Sequence, residues 1–190
     1  MLKNITSSLL SKKTNIPHTK IKRYVREFLP PDLKATIQSG YTREFDIDEA
    51  FKVYIGAYLV SFFKFTLHEA KNIISDITPW MVEKGYSPLT KWNERKELDR
   101  MKSDGVELWD IMIMEIASGG FAYTAKGVYK HTTAIENGRK MHIEKYFIEA
   151  IKPEETTGYL PVTTRILEIS FLTRTFFNVF RCEEGWIALF

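Results

Sequence analysis

One segment near the start of the chain, residues 14–28, constrains the fold more than any other. Its apolar residues recur at the i, i+3, i+4 and i+7 spacing of a buried helical stripe, namely Ile21, Tyr24, Val25 and Phe28. A second set recurs at the same spacing on another face: Thr19, Lys22, Arg23 and Arg26. Just before them, Asn15 can end a helix in the left-handed conformation and Pro17 suits the first turn of the next. The segment is predicted to be a turn that leads into a short helix with one apolar and one basic face.

Charge is concentrated in the same part of the chain. Residues 1–45 contain nine Lys/Arg and three Asp/Glu, a net charge of +6, whereas the whole chain carries only +3. This asymmetry favours a polyanionic partner, and a solvated basic surface is an equally simple interpretation of it. A short helix that presents cations on its outer face has the shape and charge needed to enter a DNA major groove.

Composition limits the broad class of protein. The chain has 190 residues, 44% hydrophobic and 27% charged, which is typical of one globular domain or two small ones. No apolar run is long enough to span a membrane, and the first residues lack the apolar core of a signal peptide, so a cytoplasmic location without a membrane partner is expected. The single cysteine, Cys182, excludes an internal disulfide and a cysteine-based metal cluster, and it is interpreted as a small buried hydrophobe.

Further elements are predicted after the basic helix. Residues 34–45 have two short β-prone runs around Ser39-Gly40, which indicates a hairpin. Asp46 with Glu49, and Thr66 with Glu69, have the spacing of capping boxes that begin two helices. The apolar faces of these two helices consist of Ala50, Phe51, Tyr54, Ile55, Tyr58, Leu59 and Phe62 in the first and Ala70, Ile73, Ile74 and Ile77 in the second. The predicted order is helix, helix, hairpin wing, helix, helix.

Several short motifs occur in this order with a characteristic spacing. They are Leu10-Ser11, Thr14-Asn15-Ile16, Lys20-Ile21-Lys22-Arg23-Tyr24, Leu29-Pro30-Pro31, Ser39-Gly40-Tyr41-Thr42-Arg43 and Lys64-Phe65-Thr66-Leu67-His68-Glu69-Ala70. Together, over about residues 6–80, they resemble the N-terminal DNA-binding domain of the MerR family of bacterial regulators. Lys22 stands where that family usually has Arg, Arg23 replaces the first of two tyrosines, and Thr42 replaces the usual wing Arg.

The basic stripe and the wing together define a candidate DNA-binding site. Base contacts are expected from the exposed first half of the helix, from His18, Thr19, Lys22 and Arg23. Phosphate contacts are expected from Lys20, Lys22, Arg26, Tyr41 and Arg43. A solvated amphipathic helix is the plainer alternative for the same residues.

The rest of the chain, from about residue 86, is predicted to be mixed α/β. Residues 109–116 indicate a buried strand, Ser118-Gly119-Gly120 a turn, and Asn137-Gly138 a hairpin between Thr133 and Ile143. Residues 143–151 fit a helix or a strand equally, residues 153–161 a loop, and residues 162–181 have no clear period. The many aromatic residues near the end favour a core or a subunit interface, with a small organic effector as the lesser hypothesis.

Signals of catalysis are weak. The four histidines, His18, His68, His131 and His142, lack metal-ligand spacing, and Ser118-Gly119-Gly120 lacks the Lys-Ser/Thr of a phosphate loop. No partner can be placed for carboxylates such as Glu115, Glu144 and Glu149. No enzyme activity, catalytic residue, metal or cofactor is therefore expected.

The fold class expected from these observations is α+β. A winged helix-turn-helix domain at 4–82 precedes an α/β domain at 86–190 that serves dimerisation, effector binding or partner binding. The expected function is sequence-specific binding of double-stranded DNA in transcriptional regulation. The resemblance implies a homodimer, but residues 88–101 are too short and broken for the long coiled-coil helix of that family. The alternatives are an excisionase-like architectural protein that bends DNA and a winged-helix module that binds protein without DNA.

Overall fold

The computed structural model describes residues 5–32, 42–86, 108–152 and 161–181. These residues divide into two compact units. Residues 5–32, 42–86 and 172–181 form the helical unit, and residues 108–152 and 161–171 form the sheet unit. The α+β class is confirmed: helices come first, then a four-stranded antiparallel sheet and a C-terminal helix. In this division residues 172–181 fall in the helical unit.

The helical unit begins with a short strand and two helices. Strand β1 (Ile5–Thr6) leads directly into α1 (Ser7–Thr14), which is followed by α2 (His18–Phe28). The Thr6 hydroxyl caps α1 by accepting the Leu9 N–H at 3.2 Å. Strand β2 (Glu44–Phe45) pairs antiparallel with β1, with Phe45 opposite Ile5. The predicted hairpin turn at Ser39-Gly40 lies outside the described residues.

Two long helices form the centre of the unit, and both predicted capping boxes are confirmed. In α3 (Ile47–Ser61) the Asp46 carboxylate accepts the Glu49 N–H at 2.7 Å, and in α4 (Leu67–Glu83) the Thr66 hydroxyl accepts the Glu69 N–H at 3.2 Å. Each glutamate side chain returns a bond to the backbone N–H of its cap residue. These reciprocal bonds fix both helix starts because they satisfy backbone donors that have no partner within the helix.

The predicted apolar faces of α3 and α4 are buried except at Tyr58, which is half-buried, and at Phe62. Phe51, Tyr54, Ile55 and Leu59 of α3 are buried, as are the four predicted residues of α4. Phe62, expected on the same inward face, is 59% exposed. Phe62 is the C-cap of α3, and its ring stacks on the half-buried Tyr58 one turn earlier, with a centroid distance of 5.0 Å.

The C-terminal helix, α5, spans Ile169–Arg181. Its residues from 172 onward belong to the helical unit. The Phe176 ring packs between two rings of α3, at centroid distances of 5.2 Å from Phe51 and 5.3 Å from Tyr54. The Tyr54 hydroxyl is buried there without a hydrogen-bond partner among the described residues. Burial raises the pKa of Tyr54 well above its usual range, and the neighbouring Tyr58 adds to this increase.

The sheet unit contains β3 (Leu108–Ile116), β4 (Phe121–Glu136), β5 (Arg139–Ala150) and β6 (Pro161–Leu167) in the order β5-β4-β3-β6. Every neighbouring pair is antiparallel. Trp109, Ile111 and Ile113 alternate along β3 and are buried on one face. The Trp109 N–H donates to the Ser170 hydroxyl at 2.8 Å, which links β3 to the first turn of α5.

The Asn137-Gly138 hairpin is confirmed, with positive φ at both residues (49° and 75°), as a tight two-residue turn requires. Residues 143–150, which fit either a helix or a strand, belong to β5. Residues 162–181 form most of β6 and then α5, with Glu168 alone between the two elements. In the parts of the chain that the structure describes, no helix is both long and apolar enough to cross a bilayer.

Candidate nucleic-acid interface

The turn between α1 and α2 is held by local hydrogen bonds. The Ser11 hydroxyl donates to the Ile16 carbonyl at 2.6 Å, and the Thr14 hydroxyl donates to the Leu10 carbonyl at 2.7 Å. Asn15 adopts the left-handed conformation (φ 57°, ψ 21°), as predicted. An asparagine tolerates this conformation better than most residues, so the chain can turn between α1 and α2 within three residues.

The inner side of α2 is anchored by two fully buried residues, Ile21 and Tyr24. The Tyr24 ring stacks on Phe28 with a centroid distance of 5.8 Å. Phe28 lies against Gly56 of α3 so closely that a Cβ added to Gly56 would come within 3 Å of the ring. Gly56 therefore permits the close approach of the two helices, and it is a supporting residue that the sequence did not single out. The sequence does contain a signal for this role. A glycine within a strong helical pattern lowers helix stability by about 1 kcal/mol relative to alanine, so its presence there indicates a packing requirement.

The outer side of α2 is solvent-exposed. All six predicted site residues on this helix are exposed: His18, Thr19, Lys20, Lys22, Arg23 and Arg26. At about 100° per residue, Thr19, Lys22, Arg23 and Arg26 share a sector of about 100° opposite the buried stripe. We call these four residues the basic face. Lys20 lies on the flank of the helix and His18 at its first turn.

The cations of α2 are not neutralised by the protein itself. Within the described ranges, Lys20, Lys22, Arg23 and Arg26 form no ion pair, although Glu27 follows on the same helix. Four positively charged side chains therefore project from one short helix into solvent. The arrangement can bind phosphates, and an arginine can in addition donate two hydrogen bonds to the O6 and N7 atoms of guanine.

The first turn of α2 has further unused donors. Its N-cap residue is Pro17, which provides no side-chain cap, so the first backbone N–H groups of the helix remain available to an external acceptor. His18 is tied to α1 instead, since its Nε2 atom lies 3.0 Å from the Ser7 hydroxyl. This bond joins the starts of the two helices and orients the imidazole.

The predicted wing residues, unlike those of α2, are not shown as exposed and unpaired side chains. Tyr41 lies outside the described residues. Arg43 is half-buried, and its guanidinium donates to the Glu49 carboxylate at 2.8 Å and to the Pro30 carbonyl at 2.7 Å. It also lies over the Phe45 ring, 5.6 Å from the centroid. Arg43 thus ties the segment after α2 to the capped start of α3, and only its remaining donors could reach a phosphate.

Other chemistry has less support in the described part of the chain. The cleft between α3 and α4 has about 10 Å³ of space for a water-sized sphere, which is room for about one water molecule and not for an organic effector. No group of three or more His, Cys, Asp or Glu side chains in residues 5–32, 42–86, 108–152 and 161–181 is arranged to hold a metal ion. In the β4–β5 register, His131 is opposite Glu144 and His142 is opposite Thr133, so the two histidines are not direct cross-strand partners.

Comparison of the chain with protein-family models, with curated proteins and with solved structures found no match. The functional interpretation therefore depends on the geometry of α2 and its surroundings.

Proposed function

We propose that this protein binds double-stranded DNA in a sequence-specific manner, with α2 in the major groove. The observation that carries the proposal is the basic face of α2: three unpaired cations and a threonine that project from a helix whose opposite side buries Ile21 and Tyr24 and half-buries Val25 and Phe28. The described helices α1 and α2 with their tight turn serve as a helix-turn-helix, and the segment before β2 serves as the wing. Regulation of transcription, as by the MerR family that the N-terminal motifs resemble, is the role that fits this arrangement best.

Packing behind α2 supports readout of sequence in addition to attraction of charge. An α-helix with its side chains is about 10–12 Å across and the major groove is about 12 Å wide, so a helix fits only when its side chains are well placed. Ile21, Tyr24 and Phe28 hold α2 against the rest of the helical unit. The basic face is therefore presented by a fixed backbone, as discrimination between bases requires.

The three cations of the basic face, with Lys20 on the flank of α2, also set the expected size of the electrostatic contribution. If Lys20, Lys22, Arg23 and Arg26 neutralise about four phosphates, log K falls with log salt with a slope of about −3 to −4. The half-buried Arg43 adds little to this count because Glu49 and Pro30 already occupy its guanidinium. In this proposal Arg43 mainly positions the wing.

The test begins with selection of binding sites from random duplex DNA by the full chain. Affinity for the selected duplex, and for a scrambled duplex of equal composition, is then measured by fluorescence anisotropy. The double variant Arg23→Ala with Arg26→Ala is expected to lose about 100-fold or more in affinity for the selected duplex, since it removes a base contact of Arg23, worth about 1–3 kcal/mol, together with a phosphate contact of Arg26. Discrimination between the two duplexes should disappear as well.

The control variant is Lys71→Glu, which lowers net charge by the same amount at an exposed position on α4. It should bind almost like the parent protein. Failure of the selection to enrich any sequence, or equal losses in the control and the α2 variant, would contradict the proposal. A homodimer is expected if the selected sites are palindromic, and light scattering measures it directly.

A further inference from the structure

The pairing of β4 with β5 continues beyond the described pairing of β3 with β4. The β3–β4 pairing ends at Leu108 opposite Val128, whereas the β4–β5 pairing continues to Glu136 opposite Arg139. Seven residue pairs, from Lys130 with Lys145 to this last pair, therefore have no other described strand beside them. We call residues 130–145 the arm. At about 3.3 Å per residue its seven-residue strands extend for about 23 Å.

A β-bulge marks the point where the arm begins. Val128 is opposite Tyr146 and Lys130 is opposite Lys145, so Tyr129 is an extra residue in β4. A bulge bends its strand and increases the local twist. The bulge therefore separates the arm from the part of the hairpin that pairs with β3.

The arm is basic, whereas the rest of its unit is not. It contains Lys130, Arg139, Lys140 and Lys145 against Glu136 and Glu144. The remaining described residues of the sheet unit contain three Lys/Arg and four Asp/Glu.

The tip combines these cations with exposed apolar side chains. Ile135 is 74% exposed and Met141 is 44% exposed. The register places Ile135 opposite Lys140, so an apolar and a cationic side chain share one face of the ribbon next to the Asn137-Gly138 turn. A protein interface usually excludes lysine from its centre, so this mixture favours a polyanion with apolar surface, as a DNA groove provides.

We propose that the arm is a second contact to duplex DNA, which rests on the proposed function. Arg139 and Lys140 at the tip and Lys145 at the base bind phosphates, and Ile135 lies against sugars and base edges in a groove. A two-stranded ribbon is narrow enough for the major groove. Because phosphate contacts do not read sequence, the arm raises affinity for any duplex, whereas the basic face of α2 selects among duplexes.

The experiment uses the full chain with Arg139→Ala and Lys140→Ala, together with the selected and the scrambled duplex described above. Both affinities are expected to fall by a similar factor, about 10-fold, so that discrimination between them is kept. The slope of log K against log salt should become shallower by about 2, since two phosphate contacts are removed. Ile135→Ser should weaken binding without changing this slope. Lys71→Glu is again the control for net charge.

Each other outcome overturns the inference. If the parent protein binds duplex DNA and the arm variant binds it with unchanged affinity and slope, the arm is not a DNA contact and only the α2 proposal survives. If the parent protein binds no duplex, both proposals fail. If Ile135→Ser converts a dimer into a monomer in sedimentation while the arginine–lysine variant binds normally, the arm contacts a second copy of the chain instead.

Discussion

Helix α2 and the arm both carry exposed cations, but the protein supports them in different ways. The basic face of α2 has a buried stripe directly behind it, with Ile21 fully excluded from solvent. The arm is a ribbon of two strands, and Ile135 near its tip is 74% exposed. A charged side chain on a helix that is packed against the core has a defined position. A charged side chain on an exposed two-stranded ribbon can adjust to the surface that it binds. The first arrangement suits selection of a sequence and the second suits general affinity.

The largest expected contrast comes from the same substitution in both regions. Ile21→Ala removes a fully buried side chain and should lower the free energy of unfolding by about 2–5 kcal/mol. Ile135→Ala removes an exposed one and should change it by less than about 0.5 kcal/mol. Urea denaturation followed by circular dichroism measures both. If the two variants lose similar amounts of unfolding free energy, the arm is packed as firmly as α2, and the proposed difference between the two regions is wrong.

A smaller effect is expected where α2 rests on α3. Gly56→Ala places a Cβ against the Phe28 ring and should lower the free energy of unfolding by about 1–2 kcal/mol, with a weaker affinity for DNA because the end of α2 is displaced.

In the Phe28→Ala background the same change meets no ring, so the better helix propensity of alanine should make it stabilising by up to about 1 kcal/mol. A double-mutant cycle on urea unfolding checks this reversal of sign. Additive effects would mean that the Phe28 ring does not determine how α2 is seated.

The smallest effect is expected at the turn of the arm. Gly138 has a φ of 75° and open space around its Cα, so Gly138→Ala introduces only backbone strain, of about 1 kcal/mol. Because the arm pairs with no other described strand, the loss should be local. Amide hydrogen exchange should accelerate in residues 130–145 and remain unchanged in α2. Acceleration throughout the chain would show that the arm unfolds together with the core.

Local signals in the sequence predicted much of this fold. The capping boxes at Asp46 and Thr66, the left-handed Asn15 and the Asn137-Gly138 turn are each determined by residues within a few positions of one another. The exposure of the cations on α2 was equally accessible, because the helical period that buries Ile21 also turns Arg23 outward.

Features that depend on distant contacts were not accessible in this way. Residues 162–181 change from strand to helix across Glu168 without a glycine or proline, so no local signal marks the boundary. The guanidinium of Arg43 is held by Glu49, a residue that the sequence assigned only to a capping box. The point at which β4 pairs with β5 but not with the described part of β3 is a property of the register and not of the hairpin sequence.

The packing of Phe176 against Phe51 and Tyr54 has a consequence for synthesis on the ribosome. Tyr54 precedes Phe176 by 122 positions, an interval of about 6–25 s at ordinary rates of translation. Throughout that interval the nascent helical unit lacks one of its interior rings. All the described strands of the sheet unit are synthesised before Phe176 is added. The part of the chain that is synthesised first is therefore expected to reach its final structure last.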